Sequence, residues 1–217
     1  MKVLAALYLF IIVLLSSACS DYWTIQRSEG FVNEKNKDTK IICISPMITY
    51  QNKEQNRELI SFQKKLSRFE KSILRSAKKN HIQLELQTLT NNANINFYDK
   101  LLLLRQEVYD VNFDTYSSLN STGNGMENKL TKSIYVYAPK ISHDFNNYSK
   151  LFGAKYFSFI KIIVSSESFS FNHVLIDTDL SETVYSERKT INHSFNQAIC
   201  DQVVYDSFAA LNKELKM

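Results

Sequence analysis

Apolar positions along this chain follow two alternating rhythms. An unbroken apolar run from Val3 to Leu15 is followed by a polar, aperiodic stretch over residues 20–39. A short apolar run from Lys40 to Ser45 then ends at Pro46 and predicts a buried strand. From Asn52 to Lys79 the spacing changes to threes and fours, with Leu59, Phe62, Leu66, Phe69, Ile73 and Ala77 on one face of a long helix. His81 to Leu89 alternates at Ile82, Leu84 and Leu86, as a strand does. Phe97, Leu101, Leu104, Val108 and Val111 mark a second helix, and residues 117–131 a polar loop. Ser133 to Tyr137 predicts a strand stopped before Pro139, and Ile141 to Phe152 a helix closed by Gly153. Three strands follow in close succession, at Ala154–Ser165, Phe169–Thr178 and Thr183–Ile191, with links short enough for an antiparallel meander. A last helix is expected from Ser194 to Leu215, with Asn192 or Ser194 as its cap. The order predicts an α/β (α+β) fold over residues 40–217. It has one mixed sheet, a carboxyl-terminal antiparallel meander and helices packed mainly on one face.

Composition supports a packed domain, since 44% of the 217 residues are hydrophobic and 22% charged. Only four glycines are present, which speaks against Gly-rich phosphate loops. A net charge of +4 is too mild to point to nucleic acid. The cations of the first helix (Lys64, Lys65, Arg68, Lys71, Arg75, Lys78 and Lys79) admit two readings. They are a patch for phosphate or anionic lipid, or a solvated face. Glu58 and Glu70 interrupt the run and no aromatics sit among the charges, which favours the solvated face.

The amino terminus carries an address. Lys2 is a short positive region, and the 13-residue apolar run is too short for the ~20 residues that span a bilayer. Ser16-Ser17-Ala18 then precede Cys19. This resembles a bacterial lipoprotein signal, in which the cysteine is lipidated and becomes the new amino terminus. Ser16 stands where that signal usually carries Leu, and an ordinary secretory signal cut after Ala18 is the alternative. The expected organisation is a signal peptide at 1–18, lipidated Cys19 with a tether to residue 39, and the domain beyond. The resemblance implies a membrane anchor in the cell envelope. Ser20 after the cysteine favours the outer membrane, with the domain facing the periplasm or the cell surface. Of the other cysteines, Cys43 on a predicted core strand and Cys200 on a predicted core helix are either a disulfide or two buried thiols, and free thiols are favoured.

Two stretches carry a fold-level resemblance. Leu151-Phe-Gly-Ala-Lys-Tyr-Phe-Ser-Phe-Ile160 resembles a helix, Gly-Ala, Tyr-strand step of certain bacterial envelope domains. Val174-Leu-Ile-Asp-Thr-Asp-Leu-Ser-Glu-Thr-Val-Tyr185 is similar to their hairpin, except that Ser181 replaces the turn Gly. The group comprises the amino-terminal domain of the Tol-Pal translocation protein, the periplasmic domain of the curli secretion channel and the lipoprotein activators of penicillin-binding proteins. It implies a protein-binding or assembly module with an envelope partner and neither catalysis nor cofactor. The links after residues 165 and 179 are too short for pore-forming hairpins.

The strongest catalytic-looking cluster is His173, Asp177 and Asp179, with Glu182 nearby. Odd positions share a face of a strand, so these groups could converge on a metal or form a hydrolase site. The simpler reading is a hairpin turn whose carboxylates accept backbone N–H bonds. No GxSxG elbow or CxxC pair is present, and His81, His143 and His193 sit at predicted element ends. Tyr109, Phe113 and Tyr116 precede the polar loop and are a candidate contact surface for protein or glycan if exposed there, with core packing of the second helix the favoured reading. A module that binds an envelope protein is therefore the leading expectation, ahead of a ligand- or glycan-binding lipoprotein and of a hydrolase.

Overall fold

A computed structural model of the protein describes residues 22–28, 31, 39–50, 59–88, 95–109 and 139–216. The signal segment with Cys19, the 117–131 loop, the expected strand at 133–137, and Phe113 and Tyr116 lie outside the described residues. The strands are β1 (Tyr22–Arg27), β2 (Ile41–Ile44), β3 (Met47–Tyr50), β4 (Leu84–Gln87), β5 (Tyr156–Val164), β6 (Phe169–Asp177) and β7 (Glu182–Ile191). The helices are α1 (Leu59–Lys79), α2 (Ile95–Tyr109), α3 (Pro139–Phe152) and α4 (Gln197–Lys216).

The strands form one mixed sheet in the order β1-β7-β6-β5-β2-β4, with β3 also pairing β5. β2, β3 and β4 join it parallel, as strands linked by helical crossovers must, while β5, β6, β7 and β1 run antiparallel. The mixed α/β sheet with its carboxyl-terminal meander is thus the expected one. Both faces of its parallel half are apolar. Ile41, Cys43, Tyr156 and Ile160 join one buried cluster under α1 and α4, whereas Ile42, Ile44, Phe157 and Phe159 join another under α2 and α3. The larger cluster holds the first pair of helices. The sequence predicts helices packed mainly on one face, but the second pair covers the other face, because β2 and β5 are apolar at successive positions rather than alternate ones. Among the described residues no helix is long and apolar enough to cross a membrane.

Two strands depart from expectation. Residues 22–27, assigned above to the tether, are β1, which pairs with β7 from Tyr22↔Thr190 to Arg27↔Tyr185. Tyr, Trp, Thr and Ile favour extended backbone, and β1 covers what would otherwise be the open edge of β7. Met47–Tyr50, given no element above, is β3. Its register on β5 differs from that of β2 by one residue, so β2 and β3 are one strand interrupted by a bulge at Ser45-Pro46. Ser45 sits there at φ 26, and Arg105 Nη1 from α2 donates to its carbonyl oxygen at 2.7 Å.

Helix ends follow backbone chemistry. The Ile82 N–H bonds to the Ala77 carbonyl and the His81 N–H to Lys78, closing α1 with His81 in the left-handed conformation at φ 57. Gly153 closes α3 the same way at φ 58, with the Ala154 N–H donating to Ser149 O at 3.2 Å. A Cβ at Gly153 would meet nothing within 4 Å, so Gly153→Ala carries the backbone penalty alone. Its expected cost is about 1 kcal/mol, read as a shift in urea midpoint with unchanged slope. The cap of α4 is Asn196, not Asn192 or Ser194. Its Oδ1 accepts from the Ala198 N–H at 2.8 Å, and its carbonyl accepts from Cys200 N at 2.9 Å.

Candidate functional site

The sheet face beneath α4 holds a continuous polar chain inside the larger apolar cluster. Ser158 on β5, His173 on β6, Glu187 on β7 and Ser207 on α4 are all buried, though none is apolar. Strand pairing brings them together, because His173 lies opposite Ile160 on one side and Glu187 on the other, while Cys43 pairs with Ser158. Ser158 Oγ lies 2.9 Å from His173 Nε2, and Ser207 Oγ lies 2.9 Å from His173 Nδ1. Ser207 Oγ donates in turn to Glu187 Oε2. Tyr185 OH donates to the same oxygen at 3.0 Å, and Trp23 on β1 also hydrogen-bonds the Glu187 carboxyl group.

The order of donors determines the imidazole tautomer. Because the Ser207 hydroxyl proton goes to Glu187, its oxygen accepts from Nδ1–H. Nε2 then accepts from Ser158, whose oxygen is left to accept from the Cys43 thiol. Burial holds the ring neutral, lowering its pKa to about 3. Burial likewise raises the pKa of Glu187, against the hydrogen bonds from Ser207, Tyr185 and Trp23 and the charge of Lys189. The Cys43 thiol is pushed up to about 12 by burial. A serine beside a histidine and a carboxylate has the membership of a nucleophilic site. Here, however, Ser158 and His173 are both 0% exposed, and the ring edges meet Phe171, Tyr185 and Phe208. The geometry couples α4 to three strands and presents none of these groups to solvent.

His173, Asp177 and Asp179 do not converge. Asp177 Oδ1 accepts the N–H groups of Asp179 at 2.9 Å and Leu180 at 3.1 Å, and its other oxygen lies 3.5 Å from Lys155 Nζ. Asp179 is exposed on the turn while His173 is beneath α4. Ser181 takes the left-handed conformation, φ 54, at the position where the envelope group carries Gly. No group of His, Cys, Asp or Glu among the described residues could hold a metal.

The structure decides two alternatives that the sequence left open. Tyr109 is core, not contact surface, since it is 0% exposed and its hydroxyl donates to Ile160 O at 2.8 Å. Its place on the apolar stripe of α2 with Leu101, Leu104 and Val108 accounts for this. Cys43 and Cys200 are both buried and both free, so no disulfide joins them. Ser158, Glu187 and Ser207 were invisible as a site because they lie on different elements, far apart in sequence.

No family model matches the chain, and no curated protein matches it. Among solved structures it is similar to the PelC dodecamer from Paraburkholderia phytofirmans, at 8% identity over 90% of this chain and 98% of that one, TM-score 0.42. It is also similar to lipoprotein GNA1162 from Neisseria meningitidis, at 12% identity over 80% of this chain and 96% of that one, TM-score 0.37. The LpoB C-terminal domain from Salmonella enterica is similar at 11% identity over 71% of this chain and 83% of that one, TM-score 0.34. At TM-scores under 0.5 these likenesses assign neither partner nor activity.

Proposed function

We propose that this is a lipid-anchored bacterial envelope protein whose α/β domain binds another envelope protein and performs no catalysis of its own. The observation that carries the reading is the β1 edge. β1 is the outermost described strand on its side of the sheet, and its backbone pairs only with β7 among the described strands. Trp23, 44% exposed, and Ile25, 39% exposed, stand side by side on one face of it. An open strand flanked by two large apolar side chains suits an added strand from a partner, with main-chain bonds giving affinity and the side chains specificity. The lipoprotein-like signal ending at Cys19 supplies the anchor and the address. His173 and Asp177, the most catalytic-looking residues in the sequence, are occupied in holding α4 and the β6–β7 turn.

A photo-crosslinking amino acid at Ile25, introduced into cells alongside a Cys19→Ala control, tests the reading. One dominant envelope protein captured by the anchored form and lost from the control supports it. Capture of nothing from Ile25, with the anchor intact, ends the β1 assignment.

A further inference from the structure

We infer that the solvent face of α1 is a docking surface for anionic phospholipid headgroups, holding the domain against the bilayer that carries the Cys19 lipid. The choice of a membrane as occupant rests on the anchor proposed above. Lys64, Arg68, Lys71, Arg75, Lys78 and Lys79 are all exposed, and the exposed positions between them are Ser67 and Leu74. Glu70, which in the sequence interrupts this run, lies off the exposed stripe, half-buried, with its pKa raised by burial. The face is therefore more uniformly basic than the linear sequence implies.

α1 and α4 enclose an open groove of about 510 Å³ lined by Arg68, Lys71, Leu74, Arg75, Gln197 and Asp201. Its one lining carboxylate is engaged, because Asp201 accepts from Gln197 Nε2 at 2.8 Å and lies 3.6 Å from Arg75 Nη2. Arg68 and Lys71 form no ion pair among the described residues. Leu74, 41% exposed, sits between the cations as an apolar contact. Cations around an exposed Leu match the boundary between headgroups and acyl chains.

Chain geometry places this face beside the membrane. Only Ser20 and Asp21 separate Cys19 from β1, and three peptide units reach at most about 11 Å. Tyr22 pairs with Thr190 at the end of β7. Strand pairing continues from there through Ile191↔Phe169 and Phe169↔Val164 to Val164↔Tyr50. Lys65 Nζ reaches Tyr50 OH at 3.4 Å, so the amino-terminal half of α1 lies at the same end of the sheet as Tyr22. A lipid on Cys19 therefore brings Lys64, Lys65, Arg68 and Lys71 towards the bilayer. Glu167, exposed in the β5–β6 turn, lies at that end too and leaves the cations in clear excess.

The test is vesicle flotation of the unlipidated chain from Ser20 onward, which keeps every described element. Vesicles of phosphatidylcholine alone are compared with vesicles containing phosphatidylglycerol. Binding is expected only to the anionic vesicles, and to vanish at about 1 M salt, where the Debye length is about 3 Å. Each cation at such a surface contributes about fivefold in affinity, so Lys64→Glu, Arg68→Glu and Lys71→Glu together should weaken binding at least ~100-fold. The equal-charge control, Lys100→Glu, Lys150→Glu and Lys213→Glu, changes exposed cations elsewhere and should stay within about threefold of the parent. Matching circular dichroism and urea midpoints confirm that both variants fold. Equal loss in both triples, equal binding to neutral vesicles, or binding to poly-glutamate but not to vesicles overturns the inference. Mass spectrometry of Cys19 from native membranes decides the anchor separately. Unmodified Cys19 with α1-dependent vesicle binding would sink the anchor alone, and lipidated Cys19 with no α1 effect would sink the docking face alone.

Discussion

His173→Ala should lower the unfolding free energy by about 3–5 kcal/mol, with a melting temperature roughly 10 °C lower for a domain of this size. Two losses combine. The ring packs at centroid distances of 5.7 Å from Tyr185, 5.4 Å from Phe208 and 6.3 Å from Phe171, and alanine leaves a void among them. Ser158 and Ser207, each 2.9 Å from a ring nitrogen, also lose a buried partner. The second loss is separable. In a His173→Ala/Ser207→Ala pair the bond between Nδ1–H and Ser207 Oγ is lost only once, so the two changes should cost less together than the sum of the singles. Urea unfolding of the four proteins measures both quantities. A His173→Ala protein within about 0.5 kcal/mol of the parent would mean that the ring does not bridge α4 to the sheet.

The same region shows where the sequence is legible and where it is not. Helices α1 and α4 are plain from period alone, since Phe69, Ile73 and Ala77, and Val204, Phe208 and Leu211, are buried where threes and fours predict. The β5–β6–β7 meander is plain from short links. β1 and β3 are not, because four to six residues between polar or proline-marked flanks give too little periodicity, and their partners, β7 and β5, lie more than a hundred residues away. The polar chain is hidden for a related reason. Glu187 lies among Ser186, Arg188, Lys189 and Thr190 and looks solvated, yet the register that places it opposite His173 and Ile25 turns it under α4. The charge of the α1 face is hard to weigh in the linear sequence, because a count gives Glu70 the same weight as Arg68 although Glu70 is half-buried and Arg68 exposed.

Raising the pH should unfold the domain near pH 11, and two buried thiols should account for much of the slope. Burial pushes Cys43 and Cys200 up to about 12 from 9.0, and raises the pKa of Tyr109 and Tyr185 above 10.0. The folded state keeps these protons at pH values where the unfolded chain releases them. Stability therefore falls as pH rises through the unfolded values, by about 1.4 kcal/mol per pH unit for each group. Two thiols over two units and two phenols over one come to about 8 kcal/mol by pH 11, within the ~5–15 kcal/mol total of a typical domain. The acid side has the opposite sign. His173, lowered from 6.5 to about 3, binds its proton more readily when unfolded, so its contribution is lost as pH drops through that window. Glu187, raised by burial, favours the folded state as pH falls and offsets part of that loss. Stability should therefore peak between about pH 6.5 and 9. In Cys43→Ala/Cys200→Ala the protein starts less stable at pH 7 for loss of packing, yet its decline between pH 9 and 11 should be shallower by nearly 3 kcal/mol per unit, that is, about 1.4 for each thiol removed. Urea midpoints measured across that range distinguish the two effects, since packing moves the whole curve and the thiols change its slope. An unchanged slope in the double variant would assign the alkaline loss to the phenols of Tyr109 and Tyr185 instead.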